Sequence, residues 1–374
     1  MGAHHQSVGR TSELKARNST ARGGGFSLSG HTVGAYGAES LTVPEEPMSF
    51  SRRTLLTTLA AAPFASMLSR QAFAAYPDKP IRLIVPFAAG GNADLVARIV
   101  AEGMSASLGQ PIIVETRAGA GGSLGAAAVA TAPADGYTLL TGSNGPLTVN
   151  PFVQAKLNYD PLKDFVAVGL ANLAPHSIVL HNSVQVKDVA ELIALSKQKQ
   201  ITLGTSGVGS ASHLTLARFN AQTGANLVHV PYRGGGALIP DVLAGTVSGA
   251  MTEVSTLLEH HNQGKVRILA VAWNRRPAKT PDVPTMIEQG VKDFTAASYV
   301  GVLAPAKAPP EVVALLEKAL VKALADKGTQ DKFIASGAEL VPPELQTSKG
   351  FGDYIRKEFE NSKEAAKVAG LKPE

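Results

Sequence analysis

The chain has 374 residues, enough for two domains of ordinary size, with 44% hydrophobic and 17% charged residues, a balance that buries a packed core. Seven of its 35 Lys and Arg and four of its 30 Asp and Glu precede residue 75, so the formal charge of +5 shrinks to 28 bases against 26 acids in the remainder. With aromatics at only 5% of the chain, this excludes a nucleic-acid surface. There is no cysteine, which removes thiol catalysis, Cys-rich zinc sites, disulfides and a lipid-modified N-terminal Cys.

The first 74 residues read as an address. Arg52 and Arg53 precede an apolar run rich in Ala and Leu, Thr54 to Ser69, which leads to Ala72-Phe73-Ala74. These are a charged n-region, an h-region too short to span a bilayer and an A-x-A cleavage site. Ser51-Arg52-Arg53-Thr54-Leu55-Leu56 resembles a twin-arginine signal, and Arg70 suits that route better than general secretion. Signal peptides begin at the N-terminus, which puts the start at Met48. Residues 1–47, rich in Gly, Ser and Thr, are then a disordered or wrongly assigned extension.

From Ala75 onward short apolar runs alternate with helical patterns. Ile81–Phe87 predicts a strand, Asp94 to Leu108 a helix, Pro111–Arg117 a second strand, then an Ala-rich helix and a third strand, Tyr137–Ser143. Further strands are predicted at Ser177–Leu180, Ile201–Thr205, Val228–Tyr232, Gly249–Glu253 and Ile268–Trp273. Helices lie between them at Lys187–Lys199, Ser210–Thr223, Gly236–Ala244 and Ser255–Gln263. They close the chain at Glu311–Lys327, Gln330–Ser336 and Ser348–Ala369. The β-loop-α repetition predicts parallel sheets covered by helices on both faces. Two doubly wound α/β lobes fit the count, with crossovers at Val166–Asn172 and Ala297–Leu303. Residues 75–172 and 301–374 form lobe one, and residues 173–300 form an inserted lobe two.

The informative loops follow strands and precede helices: Ala88–Asp94, Gly142–Gly145, Thr205–Ser212 and Arg233–Gly236. Ligands of open α/β sheets bind beyond the carboxyl ends of the strands. Helix N-termini offer unpaired N–H groups to an anion, and glycine lets backbone approach it. Gly91 lies at such a place, where a side chain would intrude on a carboxylate or meet a backbone angle only glycine adopts freely. Each loop alone is also what any tight βα turn looks like. Gly121-Gly122-Ser123-Leu124-Gly125 matches the G-x-S-x-G pattern of hydrolases, but its strand ends too early, so it reads as a flexible loop. His213 reads equally as a structural histidine or a ligand contact. Glu253, at a strand end, reads as a ligand contact or a partner for nearby backbone. No trio of nucleophile, base and orienting acid stands out, so the chain is not read as an enzyme.

Five motifs carry a family resemblance: Tyr76-Pro77-Asp78-Lys79-Pro80-Ile81-Arg82-Leu83-Ile84-Val85-Pro86-Phe87, Gly119-Ala120-Gly121-Gly122, Ala134-Asp135-Gly136-Tyr137-Thr138-Leu139-Leu140, Val230-Pro231-Tyr232-Arg233-Gly234-Gly235-Gly236 and Thr280-Pro281-Asp282-Val283-Pro284-Thr285. From Tyr76 to Leu371 the chain resembles the Bug-type periplasmic receptors of tripartite tricarboxylate transporters. The resemblance implies a monomeric two-lobed clamshell that closes on a small carboxylate without metal or cofactor. It delivers the ligand to integral membrane transporter subunits or, on a second reading, reports it to a signalling partner. Carried over, the loop after the first strand contributes Phe87, Ala88, Gly90, Gly91 and Asp94. Further contacts fall at Ser143 and Asn144, at Thr205, Ser206, Ser210 and His213, and at Tyr232, Gly234 and Glu253. Family members often carry Gly-Thr before the loop aspartate, where this chain has Asn92-Ala93, so a hydroxyl contact is expected to be missing.

Overall fold

Apolar strands too short to bury themselves alternate with amphipathic helices, and the chain solves this by winding two sheets, each with helices against it. The computed structural model describes residues 76–373. The signal segment, its cleavage site and residues 1–47 lie outside the described residues.

In the first sheet β1 (Ile81–Val85) runs parallel to β2 (Ile112–Thr116) and β3 (Thr138–Ser143). Between them lie α1 (Asn92–Leu108) and α2 (Ser123–Ala130). Next comes β4 (Phe165–His181), a 17-residue strand that belongs to both sheets. The second sheet adds α3 (Val189–Ser196), β5 (Ile201–Thr205), α4 (Ala211–Thr223), β6 (Leu227–Pro231), α5 (Gly235–Ala244), β7 (Gly249–Glu253), α6 (Val254–Asn262) and β8 (Val266–Val271). The chain returns through β9 (Ala297–Pro305) to α7 (Pro310–Ala325), α8 (Lys327–Ala335) and α9 (Ser348–Val368).

The strand order is β2-β1-β3-β9-β4-β7-β5-β6, with β8 also on β4. Phe165 to Pro175 of β4 pairs with β9, while His176 to Leu180 pairs with β7 and Ser177 to His181 with β8. The sheets are therefore mixed, not parallel throughout as the β-loop-α rhythm predicts. β9 is antiparallel to β3 and β4, and β4 is antiparallel to β7 and β8. The cause is the double crossing: one strand leaves the first lobe, the other returns beside it, and two such neighbours must oppose each other. The pairing changes sheet at Pro175, which lacks the N–H a central strand needs, and the His176 N–H then bonds Ala296 O at 2.9 Å.

Each lobe has its own core. Leu83, Val96, Leu139 and Leu320 belong to the first, and Leu203, Phe219, Met251 and Phe294 to the second. The C-terminal α7 packs on α1, and α9 lies along β4 and also touches α4 of the second sheet. Tyr299, fully buried in β9, meets Phe351 and Tyr354 of α9 edge-on. The crossing strands are thus anchored from behind.

Candidate functional site

The loops at the carboxyl ends of β1, β3, β5, β6 and β7 face one another across the line between the sheets. They meet through both backbone and side chains. The Ala88 N–H donates to Arg233 O at 2.9 Å, and Ser255 Oγ donates to Asn92 Oδ1 at 3.1 Å. A Cβ on Gly91 would stand 3.0 Å from Gly236 N, one on Gly236 would stand 1.8 Å from Ala89 O, and one on Gly121 would stand 2.3 Å from Val208 O. Glycine here is a condition of closeness between lobes. Gly91 has φ −90° and ψ 177°, extended backbone open to any residue, so the alternative reading, an angle reserved for glycine, falls away and space remains the reason.

These loops wall a small cavity that is partly open to solvent. Six expected contacts line it: Phe87, Gly91, Ser143, Ser206, Ser210 and Glu253. The wall also uses Asn92, Ala93 and Gly145 from the first lobe and Ala211 and Gly235 from the second. Ser298 and Val300 come from β9. No Lys or Arg is among these wall residues. Asn92 and Ser143 are 4% and 5% exposed, and Asn92 Nδ2 and Ser143 Oγ have no hydrogen-bond partner among the described residues. Burying such groups unpaired costs about 1–3 kcal/mol each, a cost that a hydrogen-bonding guest removes. Asn92 thus adds an amide donor next to Ala93, the position at which the resemblance leads one to expect a missing hydroxyl.

Helix ends supply the positive potential. α1 begins after Gly91 and α5 after Gly234, and neither has a side-chain cap. The first N–H groups of a helix lack internal partners and favour an anion. α4 differs, because Ser210 Oγ caps it by accepting from the His213 N–H at 3.2 Å.

The other expected contacts have different partners. Ala88 spends its N–H on Arg233. Gly90 N–H and Arg98 both donate to Asp94, so that carboxylate fixes its own loop. Asn144 donates to Ala297 O at 3.3 Å and accepts from Tyr299 N at 2.9 Å, tying the β3 loop to β9. Thr205 Oγ1 lies 2.7 Å from His229 Nε2. His213 stacks on His229 with ring centroids 4.2 Å apart, and its Nδ1 accepts from Gly209 N. Burial, then the neighbouring His213, pushes His229 down to about 4. The Tyr232 hydroxyl donates to Asp241 at 2.6 Å, and burial pushes its pKa up to about 12. Gly234 sits against Ala88, where a Cβ would come within 2.6 Å of the Ala88 nitrogen.

The G-x-S-x-G stretch is no flexible loop. Ala120–Gly122 is a 3₁₀ turn, and Ser123 opens α2 at 8% exposure. Its hydroxyl accepts from Asn150 Nδ2 at 2.7 Å and donates to Gln154 at 2.9 Å. A different serine does meet a histidine and an acid. Ser298 Oγ donates to Glu253 Oε1 at 2.6 Å and lies 2.9 Å from His176 Nε2. His176 Nδ1 faces Thr215 Oγ1 at 2.7 Å. In a nucleophilic triad the acid orients the histidine and the histidine takes the serine proton. Here the serine gives its proton to the acid. Burial, opposed by Glu253 and aided by Arg218, pushes His176 down to about 4, so the ring is neutral at pH 7. Because the Ser298 proton goes to Glu253, the proton on His176 Nε2 serves Ser298, while the Thr215 hydroxyl beside Nδ1 donates to Ala211 O at 2.9 Å. The result is a rigid mount for Glu253.

Arg233 is exposed, and its guanidinium makes no hydrogen bond or ion pair among the described residues. Arg233→Ala is expected to weaken ligand binding by no more than about 1 kcal/mol, the scale of an exposed charge contact, measured by calorimetry.

Comparison with known proteins agrees with this geometry. Residues 96–370 match the family described as "Tripartite tricarboxylate transporter family receptor". Protein BugT of Bordetella pertussis is 36% identical over 279 residues, 74% of this chain and 86% of that one. The structure of periplasmic binding protein BugD shares 32% identity with a TM-score of 0.77, covering 80% of this chain and all of that one. MatC from Rhodopseudomonas palustris, solved with bound malate, shares 29% identity with a TM-score of 0.74, covering 77% and 99%. An R. palustris protein solved with adipate shares 30% with a TM-score of 0.77, covering 80% and 100%.

Proposed function

Because this chain belongs to the tripartite tricarboxylate transporter receptor family, we propose that it captures a small carboxylate between its lobes and hands it to integral membrane transporter subunits. One observation carries the reading. Two uncapped helix N-termini from opposite lobes, with the unpartnered Asn92 Nδ2 and Ser143 Oγ, converge on a cavity walled without Lys or Arg. An anion held there satisfies both lobes at once, so binding free energy goes into closure. Malate and adipate in the two R. palustris relatives support a carboxylate as the ligand.

The lobes are residues 75–172 with 301–374 and residues 173–300, with β4 and β9 as the hinge. The protein acts as a periplasmic monomer and arrives there by a cleaved signal ending near Ala74, as the order n-region, h-region and A-x-A supports. The sites on the wall are those that face the cavity, with Phe87, Gly91 and Asn92 on one side and Ser206, Ser210 and Gly235 on the other.

A panel of mono-, di- and tricarboxylates tests the reading by thermal shift. A ligand at about 100 times its Kd adds about 2.7 kcal/mol, seen as a rise of several degrees in Tm. A panel at millimolar concentration that leaves Tm unmoved overturns it.

A further inference from the structure

We propose that Glu253 makes this receptor selective for a ligand that carries an N–H or O–H donor beside its carboxylate, and that it rejects the plain diacid of the same length. The inference rests on the carboxylate-receptor reading and adds the chemistry of the ligand's second group.

Glu253 is an acid in the wall of a site built for an anion. It is 8% exposed. An ionised carboxylate offers about four acceptor positions. Ser298 fills one on Oε1 at 2.6 Å, while Thr252 at 3.0 Å and Thr256 at 3.4 Å share Oε2. One position is left, and Glu253 lines the cavity. No Lys or Arg pairs with Glu253 among the described residues, and His176 Nε2, 3.9 Å away, has its proton directed at Ser298. Glu253 also stands at the N-cap of α6, so the positive end of that helix favours this carboxylate and is not free for an incoming anion. α1 and α5 remain for the ligand's own carboxylate.

Glu253 shares the cavity wall with Asn92 and Gly235, the first residues of α1 and α5. A second carboxylate would lie against a fixed negative charge with no cation between them. A hydroxyl or ammonium in the same place fills the open acceptor position instead.

Calorimetry on the mature protein with three matched sets tests this: propionate, lactate and alanine; succinate, malate and aspartate; glutarate, 2-hydroxyglutarate and glutamate. In at least one set a donor-bearing member is expected to bind at least about tenfold more tightly than the plain acid, a difference of about 1.4 kcal/mol. Glu253→Gln is expected to shrink that gap to under about threefold, and to penalise an ammonium ligand more than a hydroxyl one, which tells the two donors apart. Glu253→Asp keeps the charge and the preference; with the wild-type series it decides the matter if the Gln variant fails to fold. A plain acid that matches or beats its substituted partners in every set overturns this inference alone. Failure of all nine to bind overturns the inference together with the carboxylate reading.

Discussion

Gly236→Ala is expected to lower ligand affinity by at least about a hundredfold and to abolish ligand-induced compaction, while the ligand-free protein keeps its stability within about 1 kcal/mol. Gly236 lies in the first turn of α5, where alanine is the better helix former. Its added Cβ, however, would stand 1.8 Å from Ala89 O and 3.0 Å from Gly91 N, both on the opposite lobe. A Cβ is fixed to the backbone and cannot rotate away, and its partners are backbone atoms, so the only relief is to part the lobes. The Ala88–Arg233 bridge is then lost, and the α1 and α5 N-termini no longer share one guest. Small-angle scattering with and without the carboxylate that most stabilises the wild type would show the radius of gyration unchanged in the variant. Normal affinity with normal compaction would show that these loops do not meet in the bound form.

Much of this site is legible in the chain because glycine and hydroxyl residues cluster at strand ends, and helix N-termini follow from that order. Gly91, Ser143, Ser206 and Ser210 are of this kind. The cavity contacts that the sequence did not single out come from two sources. Asn92 and Gly235 sit inside recognised loops beside residues that were singled out, and only their neighbours' backbone shows which atom is left unpaired. Ser298 and Val300 come from β9, a crossing strand, whose sequence says nothing about which of its faces meets a cleft. Motif position also cannot reveal rival partners. Asp94, Thr205 and Tyr232 occupy recognisable places, yet Arg98, His229 and Asp241 hold them. The mixed sheets escaped for a related reason. β4 reads as two segments because Pro175 interrupts the apolar run, whereas proline is tolerated where a strand changes partners.

Acidification from pH 7 to pH 4 is expected to cost about 3 kcal/mol of stability through His176 alone, and His176→Gln is expected to be spared that loss. Burial pushes this histidine from 6.5 to about 4, against a partial opposing pull from Glu253. Above pH 6.5 the ring is neutral in both folded and unfolded chains. Between 6.5 and 4 the unfolded chain takes up a proton that the folded one refuses, so stability falls as pH falls, by at most about 1.4 kcal/mol per unit. Below 4 the folded ring also charges and the loss levels off. His229, likewise lowered to about 4, adds in the same direction and is untouched by the variant. A glutamine amide can donate to Ser298, so the contact that holds Ser298 on Glu253 is kept while the titration disappears. Urea unfolding at pH 7, 6, 5 and 4.5 for both proteins isolates the difference, because the carboxylates shared by the two cancel. Parallel stability curves would mean that the folded ring takes up its proton at the same pH as the unfolded chain and is charged through the acid range. It would then place a cation 3.9 Å from Glu253 and remove the uncompensated charge on which ligand selection depends.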